Sequence, residues 1–387
     1  MPINNNFTAA LESVELVHSG TDYFSRLEHI IQNAKYEIHL QFYIFSNDSI
    51  GTKILEELKK AASRRVKIYI LLDGFGSYSF SKEVIVDLKK LGINFRLFSP
   101  FFSANSFYIG RRLHHKVVVA DAEVILIGGI NISDKYHGTP AKKPWLDYSV
   151  QINDIKMAKA LQLICWDLFF KKKYLFKKKL ESIIPSQEET VIRIIQNDWL
   201  KRKNEIYDSY IDSFNNAQQE IIIVGSYFLP GRRMTNALKK AAKNKVKIKL
   251  ILAGISDVTL SKRATYHIYS SLLENNIELY EWNKTILHGK AAVVDGSWTT
   301  IGSFNLNNLS SYASLEMNVE IKSSAFSSSY IRHLNEIIAQ CQRITPESLK
   351  KRNTIPSDVI NWLSYWTARM ILNIATYFPY KRLKKLY

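Results

Sequence analysis

Cysteine is almost missing from this sequence: Cys165 and Cys341 are the only two in 387 residues. Two cysteines exclude a disulfide framework, and no Cys–His grouping has the spacing of a zinc site. A reducing compartment is the natural expectation. No uninterrupted apolar run reaches the ~18 residues that a spanning helix requires. Residues 1–20 are polar and mixed, with Asn4, Asn5, Asn6, Glu12 and Glu15, and show no basic stretch followed by an apolar one. A chain made and kept in the cytoplasm, without crossing a membrane, is expected. Acidic residues are also in deficit: 35 Asp and Glu stand against 53 Lys and Arg, leaving +18. Such an excess implies an anionic partner, either nucleic acid or an anionic membrane surface. With 46% hydrophobic and 23% charged residues the chain is too apolar to be disordered. Its length suggests two or three domains.

What the sequence does contain is a long internal repeat. Ala61-Ala62 followed by Val66-Lys67-Ile68 recurs as Ala241-Ala242 followed by Val246-Lys247-Ile248. Upstream, Ala34, Glu37-Ile38 and Tyr43 match Ala217, Glu220-Ile221 and Tyr227, and downstream Gly74 matches Gly254. The period is too long for a solenoid and reads as two copies of one domain. Helical periodicity covers residues 23–33 and 206–216, and strands are expected over 37–45 and 220–228. Helices follow over 51–63 and 234–243, then β-rich runs over 66–72 and 246–252. Strand, helix, strand at these lengths is a βαβ unit, so each half is α/β with helices covering a sheet.

The repeat is sharpest late in each half. Leu113-His114-His115-Lys116 leads to Asp121 and then Gly128-Gly129-Ile130-Asn131; Leu287-His288-Gly289-Lys290 leads to Asp295 and then Gly302-Ser303-Phe304-Asn305. The spacings are identical. A His and a Lys two apart on a β-branched run project from one face of one strand. The strand ends at Asp121 or at Asp295-Gly296, a strong hairpin signal. The hairpin is symmetric about each Asp, so the Gly and Asn end of the returning strand is expected beside the His. One copy of such a motif is weak; two copies at equal offsets inside a duplicated domain are specific. The aspartates read as structural parts of the motif rather than proton carriers. His115 points to the face opposite His114 and reads as packing, and the remaining histidines carry no motif.

This set suits phosphodiester chemistry. Lys and Asn donate to oxyanions, and a Gly/Ser segment lets backbone N–H groups approach. Imidazole attacks phosphorus or shuttles protons near neutral pH. Transfer of a phosphodiester needs a nucleophile and an acid, and two halves supply two histidines. Two carboxylates on later β-like runs, Asp147 and Glu316, are each expected to hold the ring N–H of the histidine of their own half.

On these residues the chain resembles the phospholipase D superfamily, whose hallmark is this His-x-Lys-x4-Asp element. Within it the sequence is most similar to bacterial cardiolipin synthases of the short type. Supporting segments are Gln41-Phe42-Tyr43-Ile44-Phe45, Asp73-Gly74-Phe75-Gly76-Ser77, Ser226-Tyr227-Phe228-Leu229-Pro230-Gly231, and residues 288–316. The resemblance spans roughly residues 20–345. It implies two pseudo-symmetric phospholipase D-like domains, each a mixed sheet flanked by helices, with the active site at their interface. It implies His114, Lys116, Asp121, His288, Lys290 and Asp295 as the catalytic motif, with Asn131, Asn305, Asp147 and Glu316 binding phosphate or orienting. One His attacks a phospholipid phosphodiester and carries the phosphatidyl group; the other protonates the departing alcohol and deprotonates the incoming one. His114 is assigned by analogy as nucleophile and His288 as acid/base. Neither metal nor other cofactor is implied, and phosphatidylglycerol is the expected donor and acceptor.

The domain boundaries expected are 1–170, a basic connector over 171–197, a second domain over 198–345, and a C-terminal segment over 346–387. Over 359–378 one helical arc is apolar: Val359, Ile360, Leu363, Trp366, Met370, Ile371, Ile374, Tyr377 and Phe378. Asn361, Ser364, Arg369, Asn373 and Thr376 lie mostly opposite, and Lys381, Arg382, Lys384 and Lys385 follow. This reads as an interfacial anchor, and Arg369 argues against spanning. The block from Lys171 to Lys179, interleaved with Tyr174 and Phe176, is a second candidate contact with headgroups. A peripheral place on the cytoplasmic face of a bacterial cell membrane follows, with phospholipids and the anionic surface as partners and no nucleic acid. The alternatives are a phospholipase D-type hydrolase, a nucleic-acid phosphodiesterase of the same superfamily, and a membrane-binding scaffold without activity.

Overall fold

A computed structural model describes the chain except for residues 1–5, 10–12, 100–101, 104–105, 108–110, 172–189, 199–202, 308–313, 353 and 384–387. The basic block beyond Lys171 lies outside the described residues, as do the side chains of Ile374, Tyr377 and Phe378. The chain divides into two units. The first holds residues 1–195 with 301–303 and 315–321; the second holds 196–300, 304–314 and 322–387. The two short segments 301–303 and 315–321, expected in the second domain, thus group with the first.

In the first unit the order is β1 (Val14–His18), α1 (Thr21–Asn33), β2 (Glu37–Phe42), α2 (Ser49–Ser63), β3 (Lys67–Asp73), α3 (Lys82–Lys90), β4 (Asn94–Phe98), β5 (Lys116–Ala120), β6 (Val124–Gly128), β7 (Tyr148–Ile152) and α4 (Ile155–Phe170). These strands form one mixed sheet in the order β1-β7-β6-β5-β2-β3-β4. β2, β3 and β4 run parallel, as the intervening helices require, and the other pairs are antiparallel hairpins or returns. Val117, Val118 and Val119 of β5 are all buried, so this central strand reads as a continuous apolar run. α2 is capped by Asp48, whose carboxylate accepts from Gly51 N–H at 3.0 Å, and it buries Ile50, Ile54, Leu58 and Ala61.

The second unit repeats the plan. Its elements are α5 (Glu205–Asn216), β8 (Glu220–Gly225), α6 (Arg232–Lys243), β9 (Lys247–Ala253), α7 (Thr259–Leu273), β10 (Glu278–Trp282), β11 (Lys290–Val294), α8 (Ser324–Ile338), α9 (Pro346–Arg352) and α10 (Ile355–Leu383). β11 lies antiparallel to β8, which is followed by parallel β9 and β10, matching β5, β2, β3 and β4. The expected strands over 37–45 and 220–228 stop earlier, at Phe42 and Gly225. In the first unit the reason is visible: past Phe42 the backbone donors turn to other partners. Tyr43 N–H goes to the His115 carbonyl, Ile44 N–H to Asn131 Oδ1 and Phe45 N–H to Ser77 Oγ.

α10 packs on α7 with its polar face. Asn361, Ser364 and Ala368 are buried, and Tyr365 packs with Leu260, Ala264 and Leu229. Arg369 donates to the Pro230 carbonyl at 3.0 Å. The apolar side chains point away from this contact: Val359, Ile360, Trp362, Leu363, Trp366, Met370 and Ile371 are each roughly half exposed. No described helix is long and apolar enough to cross a membrane. α9 is held by buried Glu281, which accepts from Arg352 Nη1 at 3.0 Å and Nη2 at 2.9 Å, and also from Lys262 at 3.0 Å. Burial pushes this carboxyl up, but the Arg352 hydrogen bond and the Lys262 charge outweigh it and hold it below the usual range.

The motif aspartates close the hairpin turns at the end remote from the histidines. Asp121 and Ala122 have φ of 53° and 54°, and Asp295 and Gly296 have 50° and 60°, so both turns use left-handed pairs. Asp121 accepts from the N–H groups of Lys35, Tyr36 and Glu37 at 2.7–2.8 Å, pinning the entry to β2. Asp295 does the same with Gln218, Gln219 and Glu220 at 2.8–3.0 Å. They stand a full strand away from the histidines and belong to the architecture, as structural parts of the motif rather than proton carriers. Each carboxylate accepts charge-assisted bonds worth about 1.5–3 kcal/mol apiece at most. Asp121→Ala should lower unfolding free energy by roughly 2–4 kcal/mol, read from the denaturant midpoint. Turnover per folded molecule should stay within a few-fold. Unchanged stability with lost turnover would reverse the assignment.

Candidate active site

In both units the histidine lies just before the strand, not on it. β5 begins at Lys116 and β11 at Lys290. The last ladder pairs are Phe42 with Lys116 and Gly225 with Lys290. His114 has left the β5 ladder: Arg112–Leu113 pairs with the strand that carries Glu316, and the His114 N–H extends that pairing by donating to the Leu315 carbonyl at 2.9 Å. The expectation of His and Lys side by side on one strand face is therefore corrected.

That backbone bond brings Glu316 to the His114 ring. Nδ1 stands 2.8 Å from Glu316 Oε2, and the Ser303 hydroxyl donates to the same oxygen at 2.5 Å. Ser303 Oγ in turn accepts from Met317 N–H at 3.0 Å. Glu316 is fully buried, and its Oε1 has no hydrogen-bond partner among the described residues. The carboxylate expected for His288 thus serves His114. Asp147, expected beside His114, lies against Gly129, and its Oδ1 accepts from Tyr148 N–H at 2.7 Å. A Cβ built on Gly129 would approach that oxygen to 2.3 Å, so glycine is required there.

The two lysines are almost wholly buried and curl toward the histidine of their own motif. Lys116 Nζ donates to the His114 carbonyl at 2.9 Å. Lys290 Nζ donates to the His288 carbonyl and stands 2.9 Å from His288 Nδ1. A tyrosine that the motif reading missed accompanies each pair. Tyr43 lies edge-to-face with His114 at 5.0 Å between centroids, and the Lys116 ammonium is 5.3 Å from its ring centre. Tyr227 repeats this with His288 at 6.0 Å and Lys290 at 5.9 Å. Burial, with the charge of Asp73 second, pushes the Tyr43 phenol up to about 12, so it stays neutral at physiological pH. The signal was present in the repeat, where Tyr43 and Tyr227 align.

Asp73 is a second residue that motif spacing did not mark. It is fully buried at the end of β3. Oδ1 accepts from Phe75 and Gly76 N–H at 2.9 and 3.0 Å; Oδ2 accepts from Arg112 Nε at 3.0 Å and Leu113 N–H at 2.8 Å. The backbone entering His114 is clamped from below. Ser77 donates to the Tyr43 carbonyl at 2.9 Å and fixes that turn. Asn131 is likewise structural: its Oδ1 holds Ile44 N–H and its Nδ2 donates to the Tyr136 hydroxyl at 2.8 Å. Asn305 Oδ1 accepts from the Ser226 hydroxyl at 2.9 Å. His115 packs as expected, buried, with Nδ1 3.1 Å from Gln41 Oε1.

Each unit therefore offers one imidazole, one buried ammonium and one tyrosine face. In the first unit the Glu316 carboxylate fixes the His114 ring. Comparison with known proteins agrees with this chemistry. A family model described as cardiolipin synthase, PLD-like domain, matches residues 27–162 and again 210–338. The chain is 31% identical to cardiolipin synthase B of Shigella flexneri over 351 residues, covering 88% of this chain and 84% of that one. It is 27% identical to the minor cardiolipin synthase ClsB of Bacillus subtilis, with 92% and 89% covered. Among solved structures, phosphatidylserine synthase of Haemophilus influenzae Rd KW20 superposes with a TM-score of 0.77 at 15% identity, covering 97% of both chains. At that identity the likeness speaks for the fold. Two matched copies of the domain and a near full-length relative above 30% identity place this chain in the PLD-like cardiolipin synthase family.

Proposed function

We propose that the protein is a phosphatidyltransferase that makes cardiolipin from two molecules of phosphatidylglycerol by way of a phosphohistidine. The observation that carries the mechanism is the buried Glu316 carboxylate on His114 Nδ1. With Nδ1 bonded to a carboxylate, attack on phosphorus comes from Nε2, and the positive charge that develops on the ring is offset. The bond to the departing glycerol oxygen breaks, and His288 gives that oxygen its proton. His288 then takes the proton from the glycerol hydroxyl of the second lipid. That hydroxyl attacks phosphorus, the P–N bond breaks, and His114 is restored. Lys116 and Lys290 balance the phosphate charge in both steps. Water in place of the second lipid gives hydrolysis, so the product distinguishes the two outcomes.

His114→Ala and His288→Ala should each lower turnover by at least ~10³-fold, since neither role is filled by the other residue. Labelled phosphatidylglycerol in mixed micelles, with products separated by chromatography, reads this directly. A trapped phosphatidyl adduct should form on His114. An adduct on His288 reverses the roles; near-normal turnover of either variant overturns the mechanism.

The membrane place of the enzyme is read from α10. Its outward apolar face has no described protein neighbour to cover it, and four basic residues follow within 381–385. Anionic lipid contributes about 1 kcal/mol per nearby Lys or Arg, and each apolar side chain fully removed from water about 1.5–3 kcal/mol. Replacing Trp362, Trp366 and Met370 together by Ser should weaken sedimentation with phosphatidylglycerol vesicles at least ~10-fold. The docking residues Asn361, Ser364 and Ala368 are untouched, so the thermal midpoint should hold. Equal vesicle binding by the triple variant would place the anchor elsewhere.

A further inference from the structure

Beside α10 the second unit has a pocket of about 270 Å³ between the first turns of α7 and α10, remote in sequence from the histidine motif. Three cations line it: Lys262 and Arg263 of α7 and Arg352 of α9. Glu281 answers two of them, Lys262 and Arg352, which also stack over the Tyr266 ring at 4.4 and 4.9 Å from its centre. Arg263 has no carboxylate partner among the described residues, although it is only partly exposed. The pocket therefore keeps a surplus of positive charge close to +2.

Asn361 adds an independent sign. Its side chain lines the pocket from α10, the residue is only 5% exposed, and no described group accepts or donates a hydrogen bond to its amide. The residue is buried while its amide stays open to the pocket, where a ligand or solvent can take up its hydrogen bonds. α7 opens into the same space on Val258 without a side-chain cap, so its first N–H groups also face an anion favourably. Immediately outside, Ile360 and Trp362 are exposed on the apolar face of α10.

We infer that this pocket binds a phosphate anion, in the membrane-bound enzyme the phosphate of an anionic lipid headgroup whose acyl chains lie along the apolar face of α10. Arg263 and Arg352 supply planar donors suited to phosphate oxygens, Asn361 a further N–H, and Ser357 a hydroxyl at the rim. None of its lining residues belongs to the histidine motif. Its lipid occupant rests on the membrane-facing reading of α10, whereas the phosphate chemistry does not.

The test uses the full chain and hydrogen exchange read by mass spectrometry, which separates this pocket from the segments around His114 and His288. The probes are dihexanoyl phosphatidylglycerol below its micellar concentration and inorganic phosphate. Amides within 256–263 and 354–361 should gain protection with the lipid, and Arg263→Gln should raise the concentration needed about tenfold. Asn361→Ala should act in the same direction. Protection by the lipid alone identifies a headgroup site; equal protection by inorganic phosphate supports the anion site with free phosphate as its ligand. No protection of these segments by either probe, or full protection retained in Arg263→Gln at an unchanged concentration, overturns the inference. Because the lipid is monomeric, failure of vesicle binding by the intact protein tests the membrane reading separately.

Discussion

The hydrogen bond between His114 and Glu316 is the constraint around which the first half of the site is organised. A fully buried carboxylate is stable only where donors are aimed at it. Here the ring Nδ1 and the Ser303 hydroxyl converge on one oxygen. The ring reaches it because His114 leaves the β5 ladder and bonds to the carbonyl of Leu315, the neighbour of Glu316. Departure from a ladder leaves backbone donors to be satisfied, and polar side chains meet that need in turn. Asp73 takes Leu113, Asn131 takes Ile44, and Ser77 takes Phe45. Asn131, which resembles a phosphate ligand in the sequence, is therefore occupied in shaping the backbone beside the histidine.

This explains what was legible in the sequence and what was not. The duplication, the parallel strand-helix-strand order and the late hairpin follow from periodicity and turn chemistry, which are local. Which carboxylate meets which histidine is set by chain segments far apart in sequence. Glu316 is over two hundred residues from His114 and comes to it because Arg112–Leu113 pairs with the strand that carries Glu316. Spacing therefore suggested the nearer Asp147. The aspartates of the motif were legible as turn residues from Asp295-Gly296, and their grip on the entries to β2 and β8 is what makes their position invariant between the two copies.

α10 shows the opposite relation between pattern and packing. An amphipathic helix on a water-soluble core buries its apolar stripe. This one buries Asn361, Ser364 and Ala368 and leaves two tryptophans and five aliphatic or thioether side chains half exposed. Small residues allow close approach to α7, so docking requires little apolar area, and Arg369 fixes the register through the Pro230 carbonyl. An exposed apolar face of this extent is unfavourable in water and favourable at a lipid surface. Sequence periodicity located both faces; only packing shows which one is turned outward.

The two copies differ in the carboxylate and in the residue it packs against, and the differences are sterically coupled. In the first copy the residue after Gly128 is Gly129, and the short Asp147 fills the space where a Cβ would stand, 2.3 Å from its oxygen. In the second copy that position is Ser303, whose hydroxyl points at Glu316 and accepts from Met317 N–H. A serine in the first copy would collide with Asp147, and a glycine in the second would strip a donor from a buried carboxylate. Glycine with aspartate and serine with glutamate are thus two solutions to one packing problem.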